Sequence, residues 1–203
     1  MKNFIKKIFF IILVILVGSC AKESKMKNST YSNLFKSGTT IVYEVASWGD
    51  MYILKIEIEK INGDLIFRYT LSDENGDTTF QDREITVSKK SLESSEKIFM
   101  NLWDGDIVDI KGKTSIFFSK KVFRELVNKS EVTIDVGDGE ELLKYEGKKV
   151  YTCIVDGKIF ELNSINASSD LFGYFSILED YYFPLILQME VGYIIELKEI
   201  VTR

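Results

Sequence analysis

The chain has 203 residues, 26 Lys or Arg against 31 Asp or Glu, and a formal net charge of −5. It has no histidine, which removes the usual Ser-His and Cys-His dyads and any His-ligated zinc site. No basic face marks it as a nucleic-acid binder, and its 14 Phe and 10 Tyr set it apart from a disordered stalk.

The chain begins with Lys2, Lys6 and Lys7, runs apolar from Ile8 to Val17, and reaches Val17-Gly18-Ser19-Cys20. A charged start, a short apolar run and small residues before a cleavage point are the parts of a secretory signal. The run is too short for a lasting transmembrane helix, which needs roughly 20 apolar residues. Val17-Gly18-Ser19-Cys20 resembles the lipobox of bacterial lipoproteins. The resemblance implies a signal peptide over residues 1–19, cleavage before Cys20, and palmitate-type acyl chains on Cys20 that make the membrane a partner. Buried acyl chains contribute about 0.8 kcal/mol per methylene, so several chains hold a protein firmly at a bilayer. The alternative is an ordinary secretory signal in which Cys20 is incidental. Ala21 stands where many inner-membrane lipoproteins carry Asp, which implies an outer-membrane address in the bacterial cell envelope. Lys22-Glu23 resembles part of an acidic export tag and leaves the periplasmic or surface face open.

Residues 20–36 are polar and read as the lipidated cysteine and a flexible tether. Residues 37–203 then read as a single β-rich domain, long enough for a real core. A first strand is expected at Thr40–Ala46. Asn62-Gly63 suits a type I′ hairpin turn; that register sets Leu54 opposite Leu71, Ile56 opposite Tyr69 and Ile58 opposite Phe67 on one face, with Glu57 opposite Arg68 on the other. Asp73-Glu74-Asn75-Gly76-Asp77 has the look of a calcium loop. An EF-hand needs glycine at its sixth position, where Thr78 stands, so Asn75-Gly76 reads better as a hairpin turn before a strand at Thr78–Val87.

A short helix is expected over Ser91–Leu102, with Leu92, Ile98, Phe99 and Leu102 near one face. Asp104, Asp106 and Asp109 form an acidic cluster beside expected strands at Ile107–Ile110 and Ser115–Phe118. Ser119 suits the N-cap of a second helix that carries Val122, Phe123, Leu126 and Val127. Strands follow at Val132–Val136 and Glu141–Tyr145, with Asp135, Asp138, Glu140 and Glu141 as another acidic cluster. Carboxylate pairs serve glycoside hydrolysis, so Asp104 with Asp106 or Asp135 with Asp138 are the candidates for a hydrolase; solvated turns of an acidic protein are the plainer reading.

Asp156-Gly157 suits a second hairpin, with Cys153 opposite Phe160 and Tyr151 opposite Leu162. Cys153 has no internal disulfide partner if Cys20 is lipidated. It reads as a small buried hydrophobe, because no cation stands beside it to stabilise a thiolate. A strand at Gly173–Leu178 precedes the run Glu179-Asp180-Tyr181-Tyr182-Phe183-Pro184, which contains the only proline. Tyr181, Tyr182, Phe183 and Pro184 are the candidate ligand loop, with a turn that covers the core as the competing reading. A last hairpin joins Leu185–Met189 to Tyr193–Val201. The chain shows no P-loop, dinucleotide fingerprint or G-x-S-x-G elbow, so no cofactor, metal or catalytic residue is assigned.

Thr114-Ser115-Ile116-Phe117-Phe118-Ser119, then Phe123 and Leu126, the hairpin at Asp156-Gly157, Phe183-Pro184-Leu185-Ile186-Leu187 and the closing Ile195–Ile200 resemble a pattern in secreted bacterial β-domains. The resemblance covers about residues 100–203, and such domains look similar to the half-open β-barrels of periplasmic lipoprotein carriers. The fold expected is mainly β, an antiparallel curved sheet or incomplete barrel with two short helices. The function expected is a non-enzymatic envelope lipoprotein that binds a lipid, another apolar ligand or an envelope protein. A structural subunit of an envelope assembly is the alternative.

Overall fold

The computed structural model describes residues 30–103, 110–137, 139–171 and 173–202. The signal segment and Cys20 lie outside the described residues, as do Asp104, Asp106, Asp109, Asp138 and all of the expected Ile107–Ile110 strand except its last residue. Ten strands form one sheet: β1 (Thr40–Ser47), β2 (Asp50–Lys60), β3 (Leu65–Asp73), β4 (Thr79–Val87), β5 (Glu131–Asp135), β6 (Glu140–Val155), β7 (Lys158–Ser169), β8 (Gly173–Leu178), β9 (Ile186–Glu190) and β10 (Ile194–Val201). Their order in space is β4-β3-β2-β1-β10-β9-β8-β7-β6-β5. Two antiparallel meanders, β1 to β4 and β5 to β10, therefore join where β1 pairs with β10. The connection between them carries α1 (Lys89–Ser94) and α2 (Lys120–Lys129).

This is the curved antiparallel sheet with two short helices that the alternating pattern predicts. It is not a closed barrel, because the outer strands β4 and β5 do not pair with each other. Glu199 and Ile200 of β10 nevertheless pair in parallel with Ile154 and Val155 of β6, so the C-terminal half curls strongly. Bulges bend strands and add twist, and they interrupt the β1–β10, β6–β7 and β8–β9 ladders.

Burial follows the two-residue period. Ile41, Tyr43 and Val45 of β1, Leu54, Ile56 and Ile58 of β2, and Phe67, Tyr69 and Leu71 of β3 share one buried face. Met100, Leu102 and Trp103 close over Val45, Leu54 and Leu71 and leave a gap of about 10 Å³, hardly room for one water. Part of the apolar face is thus filled by the chain itself.

Several expectations are corrected. The first hairpin keeps its expected pairs up to Ile58–Phe67, but a bulge then sets Lys60 opposite Ile66. A type I′ turn needs positive φ at both central residues; Gly63 has it and Asn62 does not, so residues 61–64 form a wider loop. Asp156 and Gly157 do have φ of 49° and 75°, and Cys153–Phe160 and Tyr151–Leu162 pair as expected.

The helix expected over Ser91–Leu102 ends at Ser94. The Ser95 hydroxyl donates to the Gly112 carbonyl at 2.6 Å, and the extended chain beyond it bridges Ile98 to Thr114. Ser115–Phe118 is buried but makes an isolated bridge, Phe117 with Leu185, in place of a strand, because the chain just before it is held by a different segment. Thr114 N–H donates to Lys97 O, while Phe118 N–H donates to Pro184 O. In α2, Ser119 caps as expected and Val122, Phe123 and Leu126 are buried, whereas Val127 faces solvent. The tether expected to reach residue 36 ends sooner: Tyr31 and Phe35 are buried, and Tyr31 is hydrogen-bonded to Asp180 and Asn163.

Candidate functional site

The loop between β8 and β9 is shaped by Asp180, a buried carboxylate. Its Oδ1 accepts the N–H of Tyr182 at 2.8 Å and of Phe183 at 3.2 Å, and its Oδ2 accepts the N–H of Tyr31 at 3.3 Å. Such turns suit Asp because a short carboxylate can satisfy backbone donors two or three residues ahead. Leu185 N–H donates to Phe183 O and Leu178 N–H to Leu185 O, which returns the chain into β9. Phe35 packs on Phe183 with ring centroids 5.3 Å apart and edge-on against Phe117 at 6.1 Å.

Across from this loop stand the Gly63 turn and the two helix starts. Asp64 Oδ1 accepts the Lys89 N–H at 2.7 Å and ties the turn to the beginning of α1. Ser88 caps α1, with Ser91 N–H donating to its hydroxyl at 3.1 Å; Ser119 caps α2 by accepting from Val122 N–H at 3.2 Å. Lys120, the first residue of α2, pairs with Glu93 of α1 at 2.7 Å. Its Nζ lies 5.3 Å from the Tyr182 ring centroid and 6.0 Å from that of Tyr181.

These elements enclose a pocket of about 170 Å³. Its walls are Ile61, Leu65, Leu92, Phe117, Phe118, Phe183 and Pro184, and Lys89, Glu93, Lys120 and Tyr182 stand at its polar rim. Of the candidate ligand loop, Tyr182, Phe183 and Pro184 line the pocket. Tyr181 does not line it and stands beside Tyr182, with ring centroids 5.5 Å apart. Sequence reasoning missed Leu65, Leu92, Glu93 and Lys120. The Ser119 cap was the one local signal that fixed where Lys120 sits.

The other candidates are used structurally. Gly137 N–H donates to Asp135 Oδ1 at 2.8 Å, and Lys97 Nζ lies 3.1 Å from Oδ2. The Gly137 N–H, then Lys97, hold the Asp135 carboxyl below the usual carboxylate range, the opposite of what a general acid needs. Asp73 accepts the N–H groups of Asp77 and Thr78 at 2.8 and 3.0 Å, so its oxygens close its own turn. Cys153 is 5% exposed, and burial pushes its thiol up to about 11, as expected of a small buried hydrophobe.

At the opposite end of the sheet, the β1–β2 and β9–β10 turns flank a broader depression that includes Trp48, Asp50, Tyr193 and Ile194. Trp48 is 99% exposed at φ 56°.

No family model matches the chain, and no curated protein matches it. Among solved structures, the crystal structure of MucB aligns with 84% of this chain and 56% of its own, at 10% identity and a TM-score of 0.36. The chain thus spans little more than half the length of that structure, and a likeness at that TM-score brings no function with it.

Proposed function

We propose that this is a non-enzymatic, lipid-anchored protein of the bacterial cell envelope that receives one apolar side chain of a partner protein in the pocket beside Phe183-Pro184. The observation that carries the binding reading is the size and lining of that pocket. At about 170 Å³ it resembles the roughly 150 Å³ apolar cavities that admit benzene. Sites for whole small ligands run from about 300 to 1,000 Å³. A Leu, Ile or Phe side chain fits; an entire lipid does not. A side-chain pocket ringed by polar groups is also how interface hot spots are built, and Lys89, Glu93 and Lys120 supply such a ring here. The anchor rests on Val17-Gly18-Ser19-Cys20, and the outer-membrane address on Ala21.

A structural subunit of an envelope assembly is the second reading. Trp48 and Leu171, 99% and 80% exposed in the β1–β2 and β7–β8 turns, are the apolar residues that such an assembly would cover.

Titration of isotope-labelled protein with p-xylene, a probe of side-chain size, tests the pocket. Amide shifts confined to residues 61–65 and 183–186 that vanish in Leu92→Trp support the reading. No shift at saturation, or shifts that survive Leu92→Trp, would end it. Intact mass of the membrane-extracted chain, compared with Cys20→Ser, tests the anchor.

A further inference from the structure

Antiparallel connectivity sorts the turns between two ends of the sheet. Trp48, Gly76 and Gly192 turn at one end; Gly63, the Asp156-Gly157 turn and the start of β1 lie at the other. At this second end β6 and β7 outrun their neighbour. The last pairing of β8 on β7 is Leu178 with Ser164, while β6 and β7 remain paired out to Val155 and Lys158. The hairpin therefore reaches past β8 as an arm that lies along the end of β10.

The arm is braced. Asp156 and Gly157 make a tight type I′ tip. The Asp156 carboxylate accepts the Thr202 N–H at 2.7 Å and the Thr202 hydroxyl at 2.6 Å, and β10 pairs with Ile154 and Val155. Yet Ile154 and Ile159 face each other near this tip at 43% and 81% exposure, with Phe160 on the other face at 37%. The next pair on the same face is polar, Thr152 with Glu161. An apolar tip on a polar stem is suited to an apolar medium met end-on.

The route of the chain says which medium. Asn163 N–H of β7 donates to Tyr31 OH at 2.9 Å, so the chain enters the fold alongside the arm. Thr30 lies ten residue steps after Cys20, a reach of at most about 35 Å. From Asn163 the arm extends only about 17 Å further, at roughly 3.3 Å per residue. Acyl chains on Cys20 thus hold this tip within reach of the bilayer. Lys36 and Lys158 stand near enough to Asp156 to hold its carboxyl below the usual range, and as cations they suit anionic headgroups.

We propose that Ile154, Ile159 and Phe160 at the β6–β7 tip dip into the lipid surface to which Cys20 anchors the chain, fixing the orientation of the domain. This rests on the reading of Cys20 as lipidated. It turns the side-chain pocket, at the same end, toward the membrane surface.

The acylated full chain, placed in vesicles of phosphatidylethanolamine and phosphatidylglycerol containing doxyl lipids, tests it. A polarity-sensitive fluorophore is attached at Ile159→Cys, or at Asn75→Cys in the opposite-end turn as a control. Quenching about threefold or more stronger at 159 than at 75 is expected, with a blue shift. With the label moved to Lys158→Cys, adding Ile154→Ser and Ile159→Ser should bring quenching down to the control level. Equal quenching at 159 and 75 in a chain whose mass shows acylated Cys20 overturns the proposal alone. A blue shift that grows with protein density and is not quenched by doxyl lipid assigns the tip to a second copy and also overturns it. A mass without acyl chains removes the anchor and the proposal together.

Discussion

Replacing Asp180 by alanine strips the candidate loop of its organising acceptor. Three backbone donors lose a partner: Tyr182 at 2.8 Å, Phe183 at 3.2 Å and Tyr31 at 3.3 Å. A hydrogen bond to a charged group contributes about 1.5–3 kcal/mol, and the longer two belong at or below the low end. Water entering the space left by the carboxylate offsets part of the loss. Asp180→Ala is therefore expected to cost about 3–4 kcal/mol. Asp180→Asn keeps an amide oxygen for Tyr182 and Phe183 but turns a donor toward the Tyr31 N–H, for a cost of about 2 kcal/mol. Glu179→Ala next door, which breaks only the Lys148 pair, should cost less than about 1 kcal/mol. Guanidinium unfolding followed by tryptophan fluorescence measures all three costs, and in thermal unfolding the alanine variant should lose on the order of 10 °C in Tm. A cost below about 1 kcal/mol for Asp180→Ala, or equal costs for alanine and asparagine, would refute the reasoning.

Trp48→Gly should raise stability by about 1 kcal/mol, because φ 56° strains a side chain that buries nothing; a loss in thermal unfolding would show that Trp48 packs in solution. Gly173→Ala should lower it by about 2–3 kcal/mol, since φ is +75° and a Cβ would meet the Glu190 carbonyl oxygen at 2.7 Å. Ser119→Ala removes the α2 cap and should cost about 1 kcal/mol by urea unfolding. Burial raises the acidic groups of Tyr43, Tyr151 and Tyr193 and takes Cys153 up to about 11. The unfolded chain then releases protons first, so stability should fall as pH rises from about 9, where Cys153 ionises in the unfolded state, through 11. A denaturant midpoint that stays flat from pH 8 to 11 would contradict this.

Where side-chain period and turn chemistry agreed, the fold was legible in the sequence. Asp156-Gly157 needed no tertiary help: both residues accept positive φ, and alternation set Cys153 opposite Phe160. At Asn62-Gly63 the same rule found the pairs but not the loop, because Asp64 instead reaches the Lys89 N–H across the fold. Long-range ties of this kind leave no local signature. The end of α1 depends on Ser95 finding Gly112, and the loss of strand at Ser115–Phe118 on partners drawn from two distant segments. The Trp48-Gly49 hairpin escaped notice because Trp is a poor turn former. Likewise the aromatic run at Tyr181–Pro184 pointed to one wall of the pocket, through Tyr182, Phe183 and Pro184. Leu65, Leu92, Glu93 and Lys120 come from elements whose meeting only the tertiary fold decides.

The most direct measurement of the side-chain pocket is photo-crosslinking in cells from a benzophenone amino acid at Tyr182, which stands half-exposed on its rim. The expected result is an adduct with a peptide of an envelope protein bearing an aromatic or branched aliphatic side chain, lost when Leu92→Trp fills the pocket. The same adduct persisting with the pocket filled, or adducts with lipid alone, would contradict it.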